Sequence, residues 1–154
     1  WKSCHGVQQI ENFYTQFDGL VVTYNEKFAK PAKRLLGMAK KDGLIHGSTV
    51  QTERGWNGWE LWHHEGRRAR HGASRMGPDY THWHGMYDVA HNFYFKFIPE
   101  ARHYNDPEVN AYIDNLLEND PMHTWINTPT KEIKEAIRSG ELQKVYQGLF
   151  DKSK

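Results

Sequence analysis

The sequence contains a single cysteine, Cys4, among 154 residues. A framework of internal disulfides and a zinc site built from several cysteines are therefore excluded within it. No stretch approaches the roughly 20 apolar residues of a membrane-spanning helix, so we expect no membrane span. An excess of one charge is also missing, since 20 basic and 19 acidic residues leave a net charge of +1. So weak a field does not indicate a nucleic-acid partner.

Aliphatic residues are few, and aromatic residues and histidines are many. The hydrophobic fraction is 38% and the mean hydropathy is −0.86, while six Trp, eight Tyr, seven Phe and ten His are present. Such a composition is typical of a small domain whose core is aromatic, or of a chain that packs against a flat cofactor. Composition alone favours the aromatic core.

The first part of the chain has the hydrophobic period of one long helix. Apolar residues recur at helical spacing over 7–42, which predicts a helix on the order of 50 Å long. Pro31 should kink or break it. Gly43 suits the residue that follows the helix C-cap. The stretch 45–58, rich in Gly and polar residues, predicts a loop.

The rest of the chain also predicts helices, and no strand-like alternation of any length is present. Residues 56–98 form aromatic and histidine-rich helices with a break before Pro78, and Pro99 should end or bend the last of them. Residues 106–154 form shorter helices. Asp106 caps the first of these, and Gly140 splits the last two. We interpret 1–154 as a single, all-α, C-terminal helical region.

Cys4 and His5 form the second half of the c-type haem attachment signature C-x-x-C-H. In such a site the cysteine sulfur bonds a haem vinyl carbon and the adjacent histidine is the proximal iron ligand. Trp1 stands where the first cysteine is expected. Residues 1–6 are then a remnant of the motif, with haem held by one thioether or by a second cysteine that precedes Trp1. The alternative is an ordinary cysteine beside an ordinary histidine.

Further candidates cluster in "RHGASRMGPDYTHWHG", which contains His71, Tyr80, His82 and His84. Neutral imidazole binds haem iron, zinc and copper. The sequence "HHEG" does not have the H-E-x-x-H spacing of a zinc protease. Taken one at a time, each histidine fits a hydrogen-bonded surface position better than the position of a metal ligand. Tyr80 is either a core aromatic or a phenol placed against a cofactor, and periodicity does not decide between the two.

The run "HHEGRRARHGASRMGPDYTHWHGMYDVAHNFY" resembles the C-terminal region of the octahaem hydroxylamine oxidoreductase family. This family of multihaem c-type cytochromes includes the hydrazine dehydrogenases of anammox bacteria. The resemblance is strongest from about Trp59 to Phe97 and continues more weakly through "FIPEARHYNDPEVNAYIDNLLENDPMHTW". Its most specific part is "GPDYTHWHG". The chain would then be roughly the last third of such a protein.

The resemblance implies an all-α fold of long helices packed around c-type haems. It implies oxidation of hydroxylamine to nitric oxide or nitrite, or of hydrazine to dinitrogen. Tyr80 matches the tyrosine that is cross-linked to the catalytic haem of a neighbouring subunit. Cys4 would carry the thioether and His5 would bind iron. His84 is the best match for a distal iron ligand, and His82 and His71 are weaker matches.

The resemblance also implies partners and a location. The partners are the remaining haem-bearing part of the same enzyme, with several haems c and their iron, the other copies of a homotrimer, and a redox-partner cytochrome. The location is the periplasm or the anammoxosome lumen. Alone, this fragment or subunit would not turn over. Three alternatives stay open: a reductive member acting on nitrite or hydroxylamine, an electron-transfer subunit without the cross-link, and a haem-free helical binding module.

Overall fold

A computed structural model describes residues 4–45 and 53–153. All regular secondary structure in these two ranges is helical, and no β-strand is present in them. The prediction of an all-α fold is thereby confirmed, whereas packing around haems stays a prediction. Trp1, which stands where the first haem cysteine is expected, lies outside the described ranges. Residues 46–52 lie outside them as well. None of the described helices is both long and apolar enough to cross a membrane.

The chain begins with a continuous helix formed by α1 (Val7–Tyr24), a π turn (Asn25–Ala29) and α2 (Lys30–Lys41). Pro31 does not break it. Proline has no backbone N–H, so a regular helix would lose a hydrogen bond at this point and the ring would clash with the preceding turn. The π turn relieves this, because the Lys30 N–H donates to the carbonyl of Asn25, five residues back. Gly43 has φ +69°, which confirms its place after the helix end.

A helical hairpin follows and forms the centre of the molecule. Its first arm consists of α3 (Glu53–Trp59), a π turn (Glu60–Glu65) and α4 (Gly66–Ser74). Its second arm consists of α5 (Pro78–Thr81), a π turn (His82–Tyr87), α6 (Asp88–Asn92), a second π turn (Phe93–Phe97) and α7 (Ile98–Arg102). The arms are antiparallel, since α4 contacts α5 and α3 contacts the turn Phe93–Phe97.

The hairpin differs from the sequence expectations at two places. The predicted loop 45–58 is helical from Glu53 onward. A Cβ at Gly58 would lie 2.9 Å from Leu36 Cδ1 and 3.4 Å from Phe97 Cε2, so this glycine allows the arm to pack closely on α2. Packing of this kind overrides the low helix propensity of glycine. Pro99 does not end its helix either, because the Ile98 N–H donates to the Phe93 carbonyl in a π turn like the one before Pro31.

The C-terminal part begins with α8 (Pro107–Asn119), whose Val109 N–H donates to Asp106 Oδ1 over 2.9 Å. This confirms Asp106 as the cap. A short 3-10 helix (Thr124–Asn127) leads to α9 (Thr130–Ser139) and α10 (Glu141–Ser153). Gly140 separates these two with φ +78°, as predicted. α10 packs back on α1, and the Lys27 ammonium on the first π turn donates to the Tyr146 hydroxyl over 2.7 Å.

The core lies between the first helix, the hairpin and α8. It combines aliphatic side chains with Tyr and Phe rings and contains no tryptophan among the described residues. Each of the five described tryptophans keeps 36–64% of its surface exposed. The aromatic core expected from composition is therefore built from Tyr and Phe, while Trp lies outside it. The largest fully buried members include Tyr24, Leu35, Leu61, Val89, Phe93, Phe97, Val109 and Ile113.

Candidate functional site

Tyr80 lies on the short helix α5, at the start of the second hairpin arm. The extended Gly77 and then Pro78 set this helix directly after the turn that follows α4. Tyr80 is 59% exposed, so it is not a core aromatic in this chain. Its ring centroid lies 5.4 Å from that of His84, one turn further along. Tyr80 and His84 are thus neighbours on the surface.

Asp79 completes this group, with its Oδ2 atom 3.5 Å from His84 Nε2. Both side chains are more than half exposed, and an exposed pair of this kind is weak. To bind iron through Nε2, the His84 ring would have to leave Asp79. Because the pair is weak, that rotation costs little. Asp79, Tyr80 and His84 therefore form one exposed acid–phenol–imidazole group at the tip of the hairpin.

The two weaker histidine candidates lie apart from this group. His82 lines an open cavity between α1 and the hairpin tip, opposite the amide side chains of Gln8, Asn12 and Gln16. His71 is exposed on α4, where its backbone carbonyl accepts from the Ser74 hydroxyl over 2.9 Å. The structure brings Tyr80 and His84 together and leaves His82 and His71 elsewhere on the hairpin.

Cys4 and His5 are exposed immediately before α1. His5 Nδ1 lies 3.3 Å from Gln9 Oε1, one helical turn later. An amide oxygen accepts, so Nδ1 is assigned as the nitrogen that carries the proton and Nε2 as the one with the lone pair. Histidines that bind metals are commonly held in this way, through a hydrogen bond at the other ring nitrogen.

His5 opens onto a cavity of about 540 Å³ between α1 and the end of α4. This volume lies within the range of small-molecule sites. Its walls combine the apolar side chains of Ile10, Phe13 and Met76 with the Arg75 guanidinium. A c-type haem needs a cysteine sulfur, an imidazole, a flat apolar wall and, for its propionates, a cation. The residues at this end of the molecule fit that set.

Sequence reasoning missed Arg75 and Met76 as members of this cavity. The sequence predicts a break at Gly77 and Pro78, and the structure has a turn directly before them, at Arg75 and Met76. Nothing local indicates that this turn lies against the first residues of α1, because that proximity depends on the contact between α1 and α4. Met76 also has φ +54°, a rare conformation for a residue with a side chain.

One side of the second arm carries exposed rings throughout its length. Trp83, Tyr87, His91 and Phe95 follow one another at intervals of four residues, with ring centroids 5.7, 6.2 and 5.5 Å apart. Four-residue spacing drifts around a regular α-helix, and the wider π turns offset that drift. Together with Tyr80 and His84, these four residues form a surface that we call the aromatic face.

The described part of the chain contains no group of three or more His, Cys, Asp or Glu side chains placed to hold a metal ion. Haem iron is a different case, because the protein supplies only its axial ligands. Comparison of the chain with protein-family models, with curated proteins and with solved structures finds no match.

Proposed function

We propose that this chain is the C-terminal, haem-contacting region of a multihaem c-type oxidoreductase that oxidises hydroxylamine or hydrazine. The observation that carries the proposal is the exposure of its tryptophans, each 36–64% accessible in the described part. Burial of a large aromatic side chain at an interface contributes more favourable free energy than burial of a smaller one. Contiguous exposed apolar surface marks an interaction site. We therefore infer that a partner covers these rings. The flat macrocycle of a haem in a neighbouring part of the enzyme can pack against them.

The exposure of Tyr80 supports the proposed cross-link. Its phenol is exposed at the tip of the hairpin, so it can reach a haem held by another subunit. The haem would supply the redox centre that accepts electrons from the nitrogen substrate. Asp79 and His84 lie beside Tyr80 and are in place to orient the phenol.

His5 and Cys4 support a second haem, which belongs to this chain itself. The Gln9 amide fixes the His5 ring so that Nε2 is the ligating nitrogen. The neighbouring cavity supplies the apolar wall, and Arg75 supplies a positive charge for propionates. His5 would be the proximal iron ligand of this haem and Cys4 its covalent attachment.

The first experiment is an optical spectrum of the reduced native protein, combined with the mass of the peptide that contains Cys4. We expect a Soret band, the signature of an altered haem beside ordinary bis-His haems, and a mass increase of one haem on that peptide. Native protein without covalent haem would refute the proposal and leave a haem-free binding module.

The second experiment replaces the phenol. Tyr80→Phe should abolish the cross-link and the unusual haem spectrum, and should lower oxidation at least tenfold, about 1.4 kcal/mol at the transition state. Tyr87→Phe is the matched control, because Tyr87 lies on the same face and is 56% exposed. Its spectrum and activity should be unchanged. If peptide mapping finds Tyr80 unmodified in active native enzyme, the chain belongs to a reductive or electron-transferring member.

A further inference from the structure

A carboxyl group is enclosed between the two arms of the hairpin, away from the sites described above. Glu65 ends the first π turn of the hairpin and is only 8% exposed. It faces Asn92 of α6, which is 1% exposed. The Asn92 side-chain amide donates to Glu65 Oε2 over 2.9 Å and to the Asn57 carbonyl over 3.3 Å. These contacts join the two arms near their middle.

This cluster has more acceptors than donors. Both N–H groups of the Asn92 amide are already used, and its Oδ1 atom is buried without a hydrogen-bond partner in the described ranges. The structure gives Glu65 no ion pair with any described Lys or Arg, and Asn92 is its side-chain donor. A buried carboxylate with one side-chain hydrogen-bond donor and no ion pair destabilises the folded state. One added proton would supply the missing donor, since a protonated Glu65 can donate to Asn92 Oδ1 once the amide rotates.

The charges around Glu65 also disfavour its ionised form. Burial is the main cause, and it raises the pKa of Glu65 to about 7. The Asn92 hydrogen bond and the Lys96 charge oppose this rise, whereas the charges of Glu60 and Asp88 add to it. Asp88 is itself held by Arg68 of α4 over 3.4 Å. From α1, the Tyr24 phenol also interacts with this carboxyl group. Among the described residues, Lys96 is the positive charge that acts on Glu65.

We propose that Glu65 is a proton-binding site whose occupancy controls how tightly the two hairpin arms are held together. With the proton bound, Glu65 and Asn92 satisfy each other and the arms stay closed. When the proton leaves, the carboxylate draws in water and the contact around Asn57, Glu65 and Asn92 loosens. The aromatic face lies on one of these arms, so its support changes with pH near neutrality. This proposal does not depend on bound haem.

The test is an infrared titration of the full chain between pH 3 and pH 9, comparing Glu65→Gln with its parent. We expect the parent to show the carbonyl stretch of a protonated carboxylic acid that disappears near neutral pH. Glu65→Gln should lack this signal. The matched control is Glu60→Gln in the same π turn, which should keep it. Loss of the signal only in the ordinary glutamate range, around pH 4, would overturn the proposal.

A further measurement separates proton binding from a structural role. Hydrogen-exchange protection of 57–65 and 88–92, corrected for intrinsic rates, should fall as pH rises through neutrality and should be independent of pH in Glu65→Gln. Protection that falls equally in Glu65→Gln would exclude Glu65 as the controlling group.

Discussion

His123 has no exposed surface, and it connects the C-terminal part of the chain to the second hairpin arm. The Tyr94 hydroxyl lies 2.8 Å from His123 Nδ1, and the Trp125 indole N–H donates to the same hydroxyl over 3.3 Å. With Tyr94 assigned as the donor to Nδ1, the ring proton of the neutral histidine lies on Nε2. Burial lowers the pKa of His123 to about 4. The Asp120 charge opposes this shift, the Lys27 charge adds to it, and a hydrogen bond to the Lys27 backbone opposes it.

At the residue scale, we predict that this histidine makes folding sensitive to acid. The folded protein holds His123 neutral down to about pH 4, whereas in the unfolded chain it accepts a proton near pH ~6.5. Between these values the unfolded state binds more protons, so the contribution of His123 to stability rises with pH and is lost below about pH 4. The measurement is urea unfolding at intervals from pH 4 to pH 7.5.

His123→Phe is the variant that isolates this contribution. It should remove the rise and cost about 1–3 kcal/mol at neutral pH, because the Tyr94 hydroxyl loses its acceptor. The difference between parent and variant is the quantity to plot, since Glu65 acts in the opposite direction. Its raised pKa favours the folded state below the ordinary glutamate pKa, and that contribution falls as pH rises to about 7. A pH-independent difference would contradict the prediction for His123.

At the element scale, the close approach of the hairpin arms depends on glycines. A Cβ at Gly85 would lie 2.5 Å from the Tyr80 carbonyl oxygen and 2.6 Å from Ala69 Cα, both of which are backbone atoms. Gly37 on α2 is the opposite case, because nothing lies within 4 Å of a Cβ built there. The two positions therefore separate the effect of packing from that of helix propensity.

We predict opposite effects for alanine at these two glycines. Gly85→Ala must push α4 away from the turn His82–Tyr87 and should destabilise the fold by about 1–3 kcal/mol. Gly37→Ala should stabilise it by about 0.5–1 kcal/mol, because alanine is the better helix former. Chemical unfolding of both variants measures the difference. Equal effects at the two sites would mean that the arms are not in close contact at Gly85.

Much at this scale was predictable from sequence, and the failures share one physical origin. Caps and turns are local, which is why Asp106, Gly43 and Gly140 were predicted correctly. Pro31 was predicted to kink or break a helix, and the structure shows a π turn that accommodates it. Glu65 and His123 were missed altogether, since their partners Asn92 and Tyr94 lie 27 and 29 residues away in sequence. Periodicity cannot anticipate such pairs.

At the scale of the whole molecule, the aromatic residues serve two purposes. Tyr and Phe rings fill the core, whereas Trp83 and Phe95 are each 64% exposed on the second arm. Large aromatic side chains exposed in this way lower the solubility of the isolated chain and do not stabilise its fold. Under the proposed function, the haem-bearing remainder of the enzyme would cover this surface.

The aromatic face should therefore affect assembly and leave folding unchanged. We predict that Trp83→Gln combined with Phe95→Gln leaves the free energy of unfolding within about 0.5 kcal/mol of the parent, since exposed side chains contribute little to it. The same variant should fail to assemble with the haem-bearing part, as measured by native mass spectrometry of the purified enzyme. The control is Ile137→Gln on α9, which removes another exposed apolar side chain, 51% accessible, away from the face. If the double variant assembles as well as Ile137→Gln, the aromatic face is not the interface; if it unfolds more easily, these rings stabilise the fold.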